Sequence, residues 1–303
     1  MGLKLACAIM VIASATSLAV AQAAENLAVT ESKLAPEEAL QAFVRSYAAP
    51  APVNGKMTRW KAPLCPVATG LPPEAGKLVT DRLKQVAGIV GAPAAKTETC
   101  KPNVDVVFTL DPQALLDEVR KTNPILLGYH DPAQQQRLAT VIHPVQAWYT
   151  TQTVDINGAT SIDERLRNRT GFSTGGFGSK NAQSVSSDAN VAHSTASRIV
   201  DSLSSELFHV IVVFDLAKIE GLSIGALADY AAMLSLAQTQ AFETCQPLPT
   251  IANLVTPGCD AGLKAASLTA NDLAFLHGLY RINPRSSFRT QQGDVLIQMK
   301  KWP

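Results

Sequence analysis

The sequence predicts an α+β fold, a mixed sheet with a central buried helix and a small helical C-terminal subdomain. Three observations predict it. Segments of strand and helix character alternate between residues 57 and 154. The strongest strand candidate, Leu207 to Phe214, runs on into a stretch from Ser223 to Gln238 whose only charge is Asp229. A helix that is apolar nearly all round belongs in a core. Beyond it a loop holding Cys245 and Cys259 leads to a second helix start at Thr269.

Each element has a local reason. Pro36 with Glu37 and Glu38 opens a short helix whose Leu40, Phe43, Val44 and Tyr47 form one face. Ala48 to Gly55, with two prolines, reads as a linker. Met57 to Val67, containing Trp60 and Cys65, is a strand candidate. Pro72-Pro73-Glu74 starts a helix carrying Leu78, Val79, Leu83, Val86 and Ile89. Asn103 to Leu110 is a buried strand by its β-branched and aromatic content, and Asp111-Pro112 caps a helix from Gln113 to Lys121. A helix is expected near Ala133 to Thr140, and a strand from Val145 to Val154 with Trp148 and Tyr149. Asn157 to Ser197 is rich in Gly, Ser, Asn and Thr and reads as an insertion or flap. Arg198 to Leu203 reads as an edge strand. The central helix contains Leu227, Tyr230, Met233, Leu234 and Leu236, and a last helix from Asp272 to Tyr280, capped by Thr269, is followed by a polar tail.

The N-terminus has the layout of a secretory signal peptide: Lys4, an apolar run from Leu5 to Val20, then Ala21-Gln22-Ala23, with cleavage expected after Ala23. The run is shorter than the roughly 20 residues that cross a bilayer, and polar sequence follows it, so no stable membrane insertion is expected. Cys7 stands near the start of the run rather than behind it, which argues against a lipid-modified cysteine. The expected location is periplasmic or extracellular. Removing residues 1–23 takes away Lys4 and no acid, leaving 25 basic and 25 acidic residues. A neutral chain offers no electrostatic case for nucleic acid. Four cysteines remain, and in an oxidising compartment they suggest two disulfides; of the three connectivities, Cys65 with Cys100 and Cys245 with Cys259 closes the shortest loops. No CxxC spacing favours a zinc site instead. The expected layout is a signal peptide over 1–23, an N-terminal helix and linker over 24–56, an α/β subdomain over 57–222 interrupted by 157–197, and a helical subdomain over 223–303.

This order of elements, with a last strand running into a central helix and a small helical part after it, resembles the zincin metallopeptidase lobe over roughly residues 57 to 285. The closing Leu268-Thr-Ala-Asn-Asp-Leu-Ala-Phe-Leu-His-Gly-Leu-Tyr280 is similar to the tail of secreted bacterial zincin-like proteins of uncharacterised function. Zincins carry HExxH on the central helix, two histidines one turn apart that bind zinc around a glutamate base. In the best register this chain has Ala228-Asp229-Tyr230-Ala231-Ala232. Alanine has no lone pair for a metal, so the resemblance implies the fold and argues against its chemistry, and no cofactor is expected.

Other residues give little to rebuild a site. His130, His143, His193, His209 and His277 are scattered without helical pair spacing. Gly171-Phe-Ser-Thr-Gly175 matches GxSxG but lacks the preceding apolar strand of a nucleophile elbow, and as a phosphate loop it lacks a following GK[ST]. Asp229 is the candidate that stands out, because a carboxylate on a buried helix must be paired, hydrogen-bonded or raised in pKa. Two functions follow. One is an exported, catalytically inert binding module for a peptide, a glycan or an envelope protein; the other is a hydrolase with a non-standard carboxylate site around Asp229.

Overall fold

The structure, a computed structural model, describes residues 35–97, 99–128, 138–163, 203–240 and 243–303. The signal-peptide segment, most of the expected 157–197 insertion, the bulk of the expected helix at 133–140 and nearly all of the edge strand at 198–203 lie outside those residues.

Five strands form one mixed sheet in the order β1-β2-β5-β3-β4, as the α+β reading requires. β1 (Pro66–Thr69), β2 (Val104–Thr109) and β5 (Ser204–Asp215) are parallel neighbours, while β3 (Val145–Val154) runs antiparallel to β5, and β4 (Thr160–Ile162) antiparallel to β3. The β3–β5 register slips between Thr150 and Thr151, so that Thr150 faces His209 and Thr151 faces Leu207. The start of the expected insertion therefore belongs to the sheet, since Thr160–Ile162 pairs back onto Gln152 to Val154.

Side chains alternate across the strands, so the sheet has two covered faces. The larger core takes Val104, Val106, Phe108, Val210, Val212 and Phe214 from the sheet. On it lie α1 (Glu37–Tyr47), α2 (Pro73–Val90), α4 (Ile224–Leu236), α5 (Ala270–Leu279) and α6 (Phe288–Met299). The opposite face buries Trp148, Ile211 and Val213 under α3 (Pro112–Thr122) and the 3-10 turn Pro124–Leu127.

Local signals account for the helix boundaries. α2 has Pro73 at its first turn and ends on Gly91 in the left-handed conformation. Val79, Leu83, Val86 and Val90 form its buried stripe, whereas Leu78 and Ile89, expected on it, are 38% and 37% exposed. The buried stripe is narrower than the apolar sequence. Gly70, between β1 and α2, has φ of 83°, and a Cβ there would lie 1.8 Å from the Phe108 carbonyl oxygen, so glycine alone fits. Ser223 caps α4 by accepting from Ala226 N, and Thr269 and Asp272 form a reciprocal capping box on α5.

Three expectations about local structure need correction. The candidate strand Met57 to Val67 shortens to Pro66–Thr69; Pro63 and Pro66 lack ladder donors, and upstream only single bridges form, Arg59 with Glu206 and Leu64 with Ala94. The expected linker Ala48 to Gly55 is a strap on the core. Ala48, Ala49 and Ala51 are buried, Ala49 N donates to the Gln238 carbonyl, and Pro50 pairs with Met57. The polar tail contains α6, capped by Ser287, whose Gln291, Val295 and Met299 are buried at one-turn spacing.

The cysteines pair locally, Cys65 with Cys100 and Cys245 with Cys259, at Cα separations of 6.0 and 5.4 Å. Among the described residues no helix is long and apolar enough to cross a membrane. Leu234 is 1% exposed in the middle of this packing. Leu234→Ala should lower unfolding free energy by about 2–5 kcal/mol through lost burial and the cavity left behind, measured by urea unfolding.

Candidate functional site

α4 is buried at eleven of its thirteen positions, from Ala226 to Leu236. Ala228 and Ala232, the two positions that the expected HExxH register would give to ligands, have no exposed surface. Asp229 between them is 2% exposed. Its carboxylate is held from two sides. Arg82 of α2 donates through Nε to Oδ1 at 2.5 Å and through Nη2 to Oδ2 at 3.1 Å, and Leu268 N donates to Oδ2 at 2.9 Å. Arg82 is itself oriented by Nη1 donating to Gln85 Oε1 at 2.8 Å. The group facing Asp229 is thus a guanidinium, which offers donors and no acceptor. A carboxylate bound in this way joins helices and is poorly placed to move protons.

The other sequence candidates do not converge on Asp229. His143 Nε2 lies 3.4 Å from Glu243 Oε1, and His209 Nε2 lies 3.3 Å from Asp105 Oδ2 on the opposite face of the sheet from the main core. The His277 ring meets Trp302 edge-on at 4.9 Å. His130, His193 and the Gly171–Gly175 match lie outside the described residues. Among the described residues no three His, Cys, Asp or Glu side chains are grouped to hold a metal ion.

Two buried carboxylates outside the sequence candidates are held by uncharged donors. Asp272 accepts from Thr250 Oγ1, from Ile251 N at 3.0 Å, from Thr269 N at 2.8 Å and from Thr269 Oγ1 at 2.9 Å. Burial pushes its pKa up to about 6 against the pull of those four donors. The Thr-x-x-Asp spacing at 269 and 272 carried the signal for the capping half of this role; the contacts from Thr250 and Ile251 have no local signature. Asp163 accepts from Thr151 Oγ1 at 2.5 Å and Thr153 Oγ1 at 2.7 Å, and burial raises its pKa too. Both are satisfied structural acceptors. A cavity of about 10 Å³ lies under the strap, lined by Ala48, Met57, Thr58, Gln238, Phe275 and Leu279 among others. Small-molecule sites run to hundreds of Å³, so this one has room for about a single water.

Comparison with family models, with curated proteins and with solved structures finds no match to the chain.

Asp229→Asn keeps shape but weakens the acceptor facing a half-buried guanidinium, so it should destabilise by about 1–3 kcal/mol in urea unfolding. A variant as stable as the parent would mean that the carboxylate is strained for another purpose.

The pH dependence of Asp272 has a definite sign. Its folded pKa lies above the usual carboxylate value of 3.8, so the folded state binds the proton more tightly than the unfolded chain. Below about 3.8 the group costs nothing; the cost grows as pH rises and is complete above about 6. Relative to Asp272→Asn, the parent should therefore lose stability between pH 4 and pH 7, read from unfolding curves at each pH.

Proposed function

We propose that the protein is an exported, catalytically inert binding module of the cell envelope, built on a zincin-like lobe. The observation that carries this reading is the Asp229 contact set. The one charge of the central helix is consumed by Arg82 and the Leu268 amide, and the positions one residue before and three after it are fully buried alanines. The hydrolase alternative needs Asp229 free to act as acid, base or nucleophile, and that contact set disfavours it. The N-terminal layout, with Lys4, the apolar run and Ala21-Gln22-Ala23, supports export, and two disulfides suit an oxidising compartment. Its ligand is a peptide, a glycan or an envelope protein.

The test uses protein exported from a bacterial host. N-terminal sequencing should start at Ala24, elemental analysis should find no stoichiometric zinc, and an unstructured protein substrate should stay intact with or without added zinc. Zinc at one atom per chain, or cleavage abolished by Asp229→Asn, would replace this reading with the hydrolase.

A further inference from the structure

An Asn-Gly pair can modify itself, because the glycine amide nitrogen can attack the asparagine carboxamide and no Cβ stands in its way. The sequence has two such pairs, Asn54-Gly55 in the strap and Asn157-Gly158 in the turn between β3 and β4. Their surroundings differ in the way that decides reactivity.

Asn54 is tied at both ends of its carboxamide. Nδ2 donates to Thr153 Oγ1 at 3.2 Å and to the Ser204 carbonyl at 3.1 Å, while Oδ1 accepts from Lys56 N at 3.1 Å. Half-buried under these contacts, it cannot turn its Cγ toward Gly55 N without giving them up. Asn157 is exposed, and its carboxamide has no hydrogen-bond partner among the described residues. Gly158 is exposed as well, with φ of 83° and open space where a Cβ would lie. Each glycine amide carries one turn bond, Gly158 N to the Asp155 carbonyl at 3.1 Å and Gly55 N to the Ala51 carbonyl at 2.9 Å, so the side chains make the difference. The Gly158 bond sits at the tip of a hairpin whose second strand has three residues, and its opening belongs to the low-stability end of local fluctuations.

We propose that Asn157 is a self-modification site, at which the folded protein converts its own side-chain amide to an acid, and that the change loosens β4. Gly158 N gives its proton to water or hydroxide and bonds to Asn157 Cγ. The Cγ–Nδ2 bond breaks, Nδ2 takes up a proton and leaves as ammonia, and a succinimide ring closes. Water, the co-reactant, then opens the ring at either carbonyl. Cleavage of the new bond leaves an aspartyl residue at position 157, and cleavage of the original peptide bond leaves an isoaspartyl linkage with one more methylene in the main chain. No oxidant or reductant takes part.

Both products act on the clasp that shapes this turn. Asp155 is buried, and its Oδ1 accepts from Asn157 N and from Ala159 N, each at 2.8 Å. The aspartyl form sets a second negative charge beside that carboxylate, and the isoaspartyl form lengthens the loop that carries both donors. β4 is joined to β3 only from Thr160 to Ile162, with Asp163 held just beyond by Thr151 and Thr153. A distorted turn therefore weakens the pairing of the whole strand.

The test holds the full chain in neutral buffer, folded in one sample and unfolded in urea in another, and follows its peptides by mass spectrometry. In the folded sample the peptide spanning position 157 should lose its parent form to two products of equal mass, while the peptide spanning Asn54 keeps its amide; in urea both should convert. Asn157→Gln moves the carboxamide one methylene away and breaks no contact, and it should give no product. A 157 peptide that survives in the folded protein while the urea sample converts would overturn the proposal, as would Asn54 converting as fast as Asn157 in the folded protein. Hydrogen exchange at Thr160–Ile162 should be faster in the modified fraction than in Asn157→Gln, and equal protection would overturn the loosening of β4.

Discussion

The main face of this fold depends on one buried ion pair. α4 is apolar nearly all round, and a carboxylate in its middle would be intolerable without a partner, since an isolated buried charge costs far more than any single contact returns. Arg82 supplies the partner from α2, and the amide of Leu268 uses a remaining oxygen just before α5 begins. One side chain thereby fixes the relative positions of three helices. The asymmetry of such pairs makes this a constraint on the sequence: removing either partner leaves the other without its counter-charge. Asp272 repeats the device on a smaller scale, tying the start of α5 to Thr250 and Ile251.

The same helix ends in the interior, and its last carbonyls need donors. No glycine follows it and no basic residue occupies its last turn. Trp60 Nε1 donates to the Ser235 carbonyl at 2.7 Å and Tyr280 Oη to the Leu236 carbonyl at 2.9 Å. Just beyond, Ala49 N donates to the Gln238 carbonyl at 3.2 Å. Two aromatic side chains and one amide, from the strap, from Trp60 just after it and from the end of α5, thus do what a C-cap does elsewhere. The strap is in turn pinned by Lys56 Nζ donating to the Arg285 and Ser286 carbonyls and by Met57 N donating to Gln291 Oε1. It closes over the C-terminal end of the central helix as part of the core.

What the sequence disclosed and what it hid divide along range. α4 was legible because its composition is extreme, α5 because Thr269 stands before an apolar run, and the cysteine pairs because short loops close most readily. The strap was not legible. Its alanines and prolines have no period, and its partners Gln238, Thr239 and Gln291 lie 180 or more residues away in sequence. Arg82 reads as a solvent-facing charge on an amphipathic helix until Asp229 is brought beside it. α6 was missed because its buried face, Gln291, Val295 and Met299, is too narrow and too polar to stand out. At the candidate site, the need for a partner to Asp229 followed from burial alone, while the identity of that partner required the fold.

The burial of Ala228 and Ala232 bears on chemistry as well as packing. A metallopeptidase helix must leave one face open, so that metal, water and substrate reach it. Here that helix has no open face: every residue from Ala226 to Leu236 is buried, and the strap, with Trp60 and Thr58, covers its far end. Small side chains at 228 and 232 suit this closed arrangement, because a well-packed core has no space for a larger ring and resists its insertion. Two imidazoles at those positions would meet close-packed neighbours and would bury ring nitrogens that need partners. Under the proposed reading, the missing ligands and the closed helix face are therefore one structural fact, and restoring the ligands alone would rebuild no site.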